Sequence, residues 1–373
     1  RAPGSGRDRK EIRMSRETAG RMGSEPLRRM QRDMQNNVQR DAQGAMQGDM
    51  QVEEQRRGQS RFKGAGKRIL AALLCGALAC PAVSMTAYAR LEEQLTVENG
   101  QFIRANGTAI QGALAKGVTV SKYQNRAGAI DWSQAAADGV TFAMVRLGYL
   151  NDLDPYFGEN MQGAAAQGIR TGVFFYTQAL DEETARQEAR FVLDQIKDYP
   201  VSYPVAYDVE SQYLLDMGKT PQEITNQINA FCQVIAEAGY RPIVYGNNLW
   251  LTTYMDTTQI PYDIWYSRYE TSVNEYPNRT IWQYTDAGSV AGITGDVCIE
   301  IAFTDYAQVI PGTGWRNING VWYYYQDYWK QTGWLQLDGV WYYLKPDGAM
   351  AAGENCQVDG VTYTFDANGA WIS

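Results

Sequence analysis

Two carboxylates that lie close together in the chain, Asp208 and Glu210, are the residues best placed to do chemistry. They end the run YPVAYDVE at 203–210, which predicts a β-strand, and residues two apart on a strand point to the same face. Two carboxylates held that close repel each other, so one keeps its proton and can act as an acid near neutral pH. Cleavage of a glycosidic bond needs such a proton donor together with a charge-stabilising group. A lone Asp-x-Glu is more often a solvated turn or a cation site, but its place at a strand end favours the catalytic interpretation.

The composition excludes several other kinds of catalysis. The chain has 34 Lys and Arg residues, 42 Asp and Glu residues and no histidine. Catalysis of the Ser-His-Asp or Cys-His type and His-ligated zinc or haem are therefore excluded, which leaves proton transfer to carboxylates, Tyr, Lys or Cys. No cluster of ligand residues appears in the sequence, so we expect neither a metal nor a cofactor.

Polar and aromatic side chains also end several other predicted strands. If these strand ends meet at one mouth of a barrel, the side chains form a sugar-binding cleft; the alternative for any single ring is packing at the rim. The residues that we expect to bind substrate are Tyr123, Gln124, Tyr176, Tyr245, Tyr266, Arg268, Trp282 and Gln283.

The elements that must position these residues form a repeating pattern from Lys116 to about Tyr306, where short β-rich runs alternate with amphipathic stretches. Thr220-Pro221 is a helix-start signal and Gly239 a helix-stop signal. Eight strands with helices early and few helices late predict an α/β barrel of the TIM type, irregular in its last part. The strand candidates lie at 117–123, 141–149, 172–178, 203–210, 241–247, 263–269, 280–285 and 297–303.

The same region resembles the family 25 glycoside hydrolases, the Chalaropsis-type lysozymes. The motifs KGVTVSKYQ…IDW, DPYF…N, YPVAYDVE and IWQYTDAG…GITGDV occur in order and with suitable spacing over residues 115–306. The resemblance implies a (β/α)5(β)3 barrel that cuts the β-1,4 bond after N-acetylmuramic acid in peptidoglycan. Carried over by motif, Glu210 would be the general acid. Asp208 would orient the substrate N-acetyl group or a water, or stabilise charge.

Three positions depart from the family pattern. Thr119 stands where the first strand has an Asp in G-x-D-V-S, Cys298 stands at the Asp of V-D-x-N, and Phe175 replaces a common His. Because like-charged neighbours raise the pKa of a carboxyl, their loss predicts a lower pKa for Glu210. Glu300, two residues after Cys298, is either a replacement carboxylate or an exposed strand-end residue, and the second interpretation is favoured. The barrel as a whole is either a working but divergent hydrolase or one that binds glycan without cutting it.

The C-terminal segment has a 19-residue internal repeat. The run from Gly314 with Asn319-Gly320 and VWYY recurs from Gly333 with Asp338-Gly339, and a worn third copy contains Asp359-Gly360. Asn-Gly and Asp-Gly between β-rich runs predict stacked hairpins, and the pattern resembles choline-binding or cell-wall-binding repeats. In that family, aromatic rings hold a quaternary ammonium by cation–π contact; the alternative is that the rings only form the solenoid core. The expected wall-binding residues are Trp315, Trp322, Trp334, Trp341 and Tyr343.

The N-terminal part differs in charge from the rest of the chain. Residues 1–68 have a net charge of +8 and the remainder has −16. The basic, low-complexity segment 1–68 is expected to be disordered, and 69–89 reads as a signal peptide with an A-x-A cleavage site, or else as a membrane anchor. We expect a linker at 90–114, a barrel at 115–310 and repeats at 311–373.

Together these patterns predict a secreted, cell-wall-associated peptidoglycan hydrolase of a Gram-positive organism. Its partners would be peptidoglycan glycan strands and choline-bearing or other wall teichoic polymers, with no nucleic acid for the exported part. The alternative functions are a weakly active or non-catalytic glycan-binding surface protein, and one anchored in the membrane through 69–89.

Overall fold

A computed structural model describes residues 95–104, 106–150, 152–269 and 278–373. The segment 1–68 and the signal or anchor segment 69–89 lie outside the described residues. Within the described part of the chain, no helix is both long and apolar enough to cross a membrane. The segment assigned to a linker contains a hairpin of β1 (Leu95–Glu98) and β2 (Gln101–Arg104), joined by Asn99-Gly100 with positive φ at both residues.

Eight strands close into a barrel, as the sequence predicts. The first seven run parallel to one another, and the last, β11, is antiparallel to both β10 and β3 and completes the closure. The irregular TIM-type α/β barrel is therefore confirmed. A short β5 (Asp152–Leu153) adds to the edge of β4. The barrel strands are β3 (Ala115–Val120), β4 (Val140–Tyr149), β6 (Arg170–Tyr176), β7 (Val201–Asp208), β8 (Pro242–Asn247), β9 (Asp263–Ser267), β10 (Arg279–Gly288) and β11 (Val297–Ala302).

Helices cover the first part of the barrel and become short after β8. The longest, α5, begins with a capping box in which Thr220 and Glu223 satisfy each other's backbone N–H, followed by Pro221 at the first helical position. Its apolar face and that of α3 pack on the sheet. After β8 come only a π-helical turn (Trp250–Tyr254) and a 3-10 turn (Thr257–Gln259) before β9. The helices are α1 (Trp132–Ala137), α2 (Phe157–Ala166), α3 (Glu182–Ile196), α4 (Gln212–Asp216), α5 (Pro221–Glu237) and α6 (Tyr306–Val309).

Large, mostly apolar side chains fill the barrel interior toward the amino ends of the parallel strands, and polar groups lie at the carboxyl ends. Phe142 stacks on Tyr203 with ring centroids 4.3 Å apart, and both lie in one buried cluster with Trp265. Gly117 makes room for Phe142, because a Cβ there would lie 2.4 Å from that ring. Since residues alternate along a strand, the inward-facing residues further along each strand line the opposite mouth. An irregularity in β7 shifts this alternation, so that Ala206 follows Tyr203 in the inner cluster.

The C-terminal repeats form hairpins, as expected. They are β12 (Gly314–Ile318) with β13 (Val321–Gln326) and the short β14 (Trp329–Lys330), β15 (Gly333–Leu337) with β16 (Val340–Leu344), and β17 (Asn355–Val358) with β18 (Val361–Thr364). Each of the three tight turns has positive φ at both central residues, Asn319-Gly320, Asp338-Gly339 and Asp359-Gly360.

The first repeat is fastened to the barrel. The guanidinium of Arg316 lies between the rings of Tyr240 and Tyr325, 4.3 and 4.5 Å from their centroids. The Tyr325 hydroxyl donates to the backbone oxygen of Lys197, at the end of α3, at 2.8 Å. The aromatic side chains that face the barrel in this repeat therefore serve docking.

Candidate active site

The Asp208/Glu210 pair lies at the carboxyl end of β7. The backbone N–H of Glu210 donates to Asp208 Oδ1 at 3.1 Å, which ties the two residues into a tight local turn. The Glu210 carboxylate accepts the backbone N–H of Asn247, the last residue of β8. The Tyr176 hydroxyl, at the end of β6, donates to the Glu210 backbone oxygen at 3.3 Å. Three neighbouring strand ends thus hold the pair in place.

The electrostatics of this pair favour one retained proton. Burial, and then the neighbouring charge of Glu210, raise the pKa of Asp208 to about 8. Burial also raises the pKa of Glu210, while the hydrogen bond from the Asn247 backbone N–H opposes that rise. The pKa of Glu210 thus lies above its ordinary value although Thr119 and Cys298 supply no charge, because burial alone raises it. The two carboxyls titrate together and hold one proton near neutral pH.

Of the side chains expected to bind substrate, the structure brings Tyr176, Tyr245 and Gln283 together near the pair. The Tyr245 hydroxyl donates to Gln283 Oε1 at 3.0 Å. On the first strand's side, Tyr123 is 47% exposed, and Gln124 accepts the backbone N–H of Ser121 at 3.0 Å.

Tyr266 and Trp282 are not brought to this mouth. They are 2% and 3% exposed and pack in the core outside the barrel, because each is next in sequence to an inward-facing residue and so points the opposite way. Arg268 donates to the Tyr266 hydroxyl at 3.4 Å and lies on that same outer side. Assigning both Trp282 and Gln283 to one cleft therefore conflicts with the two-residue period of the strand.

Residues outside the expected set complete the mouth. The hydroxyls of Ser267 and Tyr269 donate to Gln283 Oε1 at 3.1 and 2.6 Å. Arg146, near the end of β4, lowers the pKa of Asp208 but does not offset burial. The same-face period along β9 is the signal that identifies Ser267 and Tyr269, since they follow the inward-facing Trp265 at steps of two.

Glu300 is fully buried inside the barrel. It accepts the Thr119 hydroxyl at 2.7 Å, the Gln283 side-chain N–H at 3.0 Å and the Trp265 indole N–H at 2.8 Å. The favoured interpretation as an exposed strand-end residue is wrong. Because β11 runs antiparallel to its neighbours, its first residues lie at the mouth, and Glu300 lies one layer deeper than Cys298, which pairs with Thr119.

Aromatic rings of the second and third repeats meet in one group. Trp334 lies 4.8 Å from Tyr363, 6.1 Å from Trp371 and 6.2 Å from Trp341, measured between ring centroids. Tyr343 adds a further contact at 5.2 Å. In the first repeat Trp322 is 44% exposed, whereas Trp315 is partly buried against Tyr324 and Tyr342. Among the residues that the structure describes, no group of three or more Cys, Asp or Glu side chains could hold a metal ion.

Comparison with known proteins identifies both folded parts. Residues 118–293 match the model of the glycosyl hydrolases family 25. The barrel is a family 25 glycosyl hydrolase domain. Residues 313–327 and 332–350 match the putative cell wall binding repeat, so the hairpins that follow the barrel are repeats of that kind.

Individual relatives are more distant. The chain is 26% identical over 190 residues to the uncharacterized protein YegX of Escherichia coli K12, which covers 48% of this chain and 66% of YegX. It is 22% identical over 187 residues to the autolytic lysozyme of Clostridium acetobutylicum, covering 50% of this chain and 55% of that protein. Among solved structures, the modular autolysin LytC of Streptococcus pneumoniae is similar at 27% identity and a TM-score of 0.49, over 56% of this chain and 51% of LytC. The chain thus spans just under two thirds of the curated relative YegX and about half of LytC.

Proposed function

We propose that this protein is a peptidoglycan hydrolase that cuts the β-1,4 bond after N-acetylmuramic acid. The observation that supports this most directly is the Asp208/Glu210 pair at the open mouth of a family 25 barrel, where burial keeps one proton on the pair near neutral pH. A carboxylic acid that stays protonated at neutral pH is the group that glycoside cleavage requires.

In this proposal Glu210 is the general acid. Its carboxyl protonates the glycosidic oxygen, and the Asn247 N–H fixes its position. Asp208 orients the substrate N-acetyl group or a water, or stabilises the charge that develops at the anomeric carbon. Because the two carboxyls share a proton, catalysis requires that proton to lie on Glu210 when the glycosidic oxygen is against it.

Substrate would lie across the mouth between the ends of β3, β6 and β8. Tyr123 offers an exposed ring on one side, and Tyr176 and Tyr245 flank the carboxyl pair. Gln283 would act indirectly, through the hydroxyls that are hydrogen-bonded to its side-chain oxygen. Gln124 bridges the β3 end to the backbone oxygen of Asp296 at 3.2 Å, so its role is to brace this rim.

Binding to the cell wall would fall to the repeats. In the group around Trp334, Trp334 and Trp341 are each 38% exposed, Trp371 is 43% exposed and Tyr363 is partly buried. The group therefore offers several ring faces to one cation. We propose a choline-bearing or other wall teichoic polymer as the ligand and the exterior of a Gram-positive cell as the location, reached through a signal at 69–89. The net charge of −16 outside residues 1–68 is consistent with aromatic rather than basic contacts to an anionic wall.

The test is loss of turbidity of purified peptidoglycan. Wild-type protein should clear the suspension, and Glu210→Gln should not, because an amide cannot donate the proton. Glu182→Gln is the matched control, since Glu182 is an exposed glutamate of α3 that forms an ion pair with the surface residue Arg186. Thr119 pairs with Cys298, so neither of these two positions supplies a carboxylate, which favours the glycan-binding alternative. Pelleting with peptidoglycan but no clearing by wild type would establish that alternative.

A further inference from the structure

A buried polar network connects the deepest carboxylate of the barrel to the mouth. Glu300 accepts three hydrogen bonds, from Thr119, Trp265 and Gln283, so each of its oxygens faces a donor. Gln283 in turn accepts the hydroxyls of Tyr245, Ser267 and Tyr269. Glu300 has 0% exposure and cannot touch a substrate, and Gln283 is the hydrogen-bond partner that connects it to the mouth.

The carboxylate fixes the direction of the Gln283 side chain. Burial raises the pKa of Glu300 to about 7, so above that pH the group is an ionised carboxylate. In that form it only accepts hydrogen bonds, so the NH2 group of Gln283 faces Glu300 and its carbonyl oxygen faces away. That oxygen meets three hydroxyls at 2.6–3.1 Å and can only accept from them. The Ser267 hydroxyl also hydrogen-bonds the hydroxyls of Tyr245 and Tyr269, so the tyrosine protons are directed to Gln283 while Ser267 takes up part of their accepting capacity.

Two of these hydroxyls belong to the mouth. Tyr245 comes from β8, two residues before Asn247, which holds Glu210. Burial raises the pKa of Tyr245, and the charge of Glu210 raises it further, which shows that the two groups interact. Tyr269 follows β9 on the same side; the residue as a whole is 46% exposed, but its hydroxyl is buried against Gln283.

We propose that Glu300 is a positioning residue that sets the hydrogen-bond polarity of the substrate cleft through Gln283. With Gln283 held in this orientation, the half-buried Tyr245 turns its proton away from the carboxyl pair and leaves an acceptor toward the mouth. That acceptor suits an N–H donor, such as the acetamido group of an amino sugar or a peptide amide. The inference rests on the proposed function, since it concerns the same cleft.

Glu300→Gln tests this directly. The Trp265 indole can only donate, so the new side chain must turn its oxygen toward Trp265 and its NH2 toward Gln283. Two NH2 groups cannot face each other, so Gln283 must rotate and present its NH2 to the three hydroxyls. All buried groups then keep partners and the fold persists, but the tyrosine hydroxyls point their protons at the substrate. We expect kcat/KM to fall about tenfold or more, as when a polar site meets the wrong partner.

A double exchange provides the rescue. In Glu300→Gln with Gln283→Glu, the amide at 300 donates to the carboxylate at 283, which again accepts the three hydroxyls. The Thr119 hydroxyl can turn to accept, and net charge is unchanged. We expect the double variant to recover most of the loss. The matched control is Glu188→Gln. Glu188 is a second buried glutamate that accepts two hydroxyls, but it lies between α3 and the outer face of the sheet, and its replacement should leave kcat/KM within twofold.

The measurements are kcat/KM on peptidoglycan, affinity for a peptidoglycan oligosaccharide by tryptophan fluorescence, and the melting temperature. A loss in Glu300→Gln at an unchanged fold, recovered in the double variant, supports the inference. An unchanged kcat/KM, or a double variant no better than the two single variants combined, overturns it. Wild-type clearing that Glu210→Gln abolishes tests the proposed function separately. If wild type binds peptidoglycan without clearing it, the affinity for the oligosaccharide is the readout. Loss of affinity in Glu300→Gln and its recovery in the double variant then support the role of Glu300, and an unchanged affinity overturns it.

Discussion

Replacing Asp208 by Asn should make the protein more stable as well as inactive. Without substrate, the proton that Asp208 and Glu210 share lies mainly on Asp208, because burial and then the charge of Glu210 raise the pKa of Asp208, and holding the proton there costs more as the pH rises. Asn has nearly the same shape and retains the side-chain oxygen that accepts the Glu210 backbone N–H at 3.1 Å. The substitution therefore removes a titrating group without removing its hydrogen bond.

The size of the effect follows from the pKa. The folded-state pKa of Asp208, about 8, lies above the reference value of 3.8. The free energy of unfolding is therefore unaffected by this group below pH 3.8, where it is protonated in both states, and falls as the pH rises from 3.8 toward 8. Holding the proton costs about 2 kcal/mol at pH 5 and about 4 kcal/mol at pH 7 relative to an unfolded carboxyl. Asn does not titrate and has no such cost. The difference in free energy of unfolding between Asp208→Asn and wild type should therefore be larger at pH 7 than at pH 5, by about 2–3 kcal/mol.

Urea-induced unfolding at pH 5, 6 and 7, followed by tryptophan fluorescence, measures this difference. Glu188 and Glu300, whose pKa values burial also raises, titrate in both proteins and cancel in the comparison. A difference between variant and wild type that is the same at pH 5 and pH 7 would refute the reasoning, because it would show that Asp208 does not hold a proton in the folded state.

Three further predictions concern other parts of the molecule. Gly148→Ala should lower the free energy of unfolding by about 1–3 kcal/mol in urea titrations, since φ is +150° there and a Cβ would lie 2.1 Å from the backbone oxygen of Asp152; an unchanged midpoint would contradict this. Trp334→Ala should abolish retention on choline resin, because it removes the ring that contacts Tyr363 and its neighbours; undiminished retention would place the ligand elsewhere. Arg316→Ala should speed proteolysis between barrel and repeats and lower stability by about 1–3 kcal/mol, since the guanidinium is clamped between two tyrosine rings; equal cleavage rates would contradict the docking role.

Much of the fold could be predicted because its strands are short apolar runs separated by turn and helix signals. All eight barrel strands lie where those runs occur. The direction of β11 could not be predicted, since residue alternation is the same in parallel and antiparallel strands. From the sequence a linker is expected at 90–114, whereas the structure has the β1–β2 hairpin there, although Asn99-Gly100 is the same kind of turn signal as in the repeats.

The candidate site was predictable where chemistry and strand position coincide, as at Asp208 and Glu210. Tyr266 and Trp282 show where that reasoning fails, because a residue at a strand end can still point away from the barrel interior. The depth of Glu300 depended on the direction of β11 and so required the three-dimensional structure.

The most direct test of the account is to identify the sugar at the new reducing end after digestion of purified peptidoglycan. The products are reduced with borohydride and analysed by mass spectrometry. Cleavage of the bond after N-acetylmuramic acid predicts reduced N-acetylmuramic acid at the ends released by wild type and none released by Glu210→Gln. Reduced N-acetylglucosamine ends, or equal products from both proteins, would contradict the central claim.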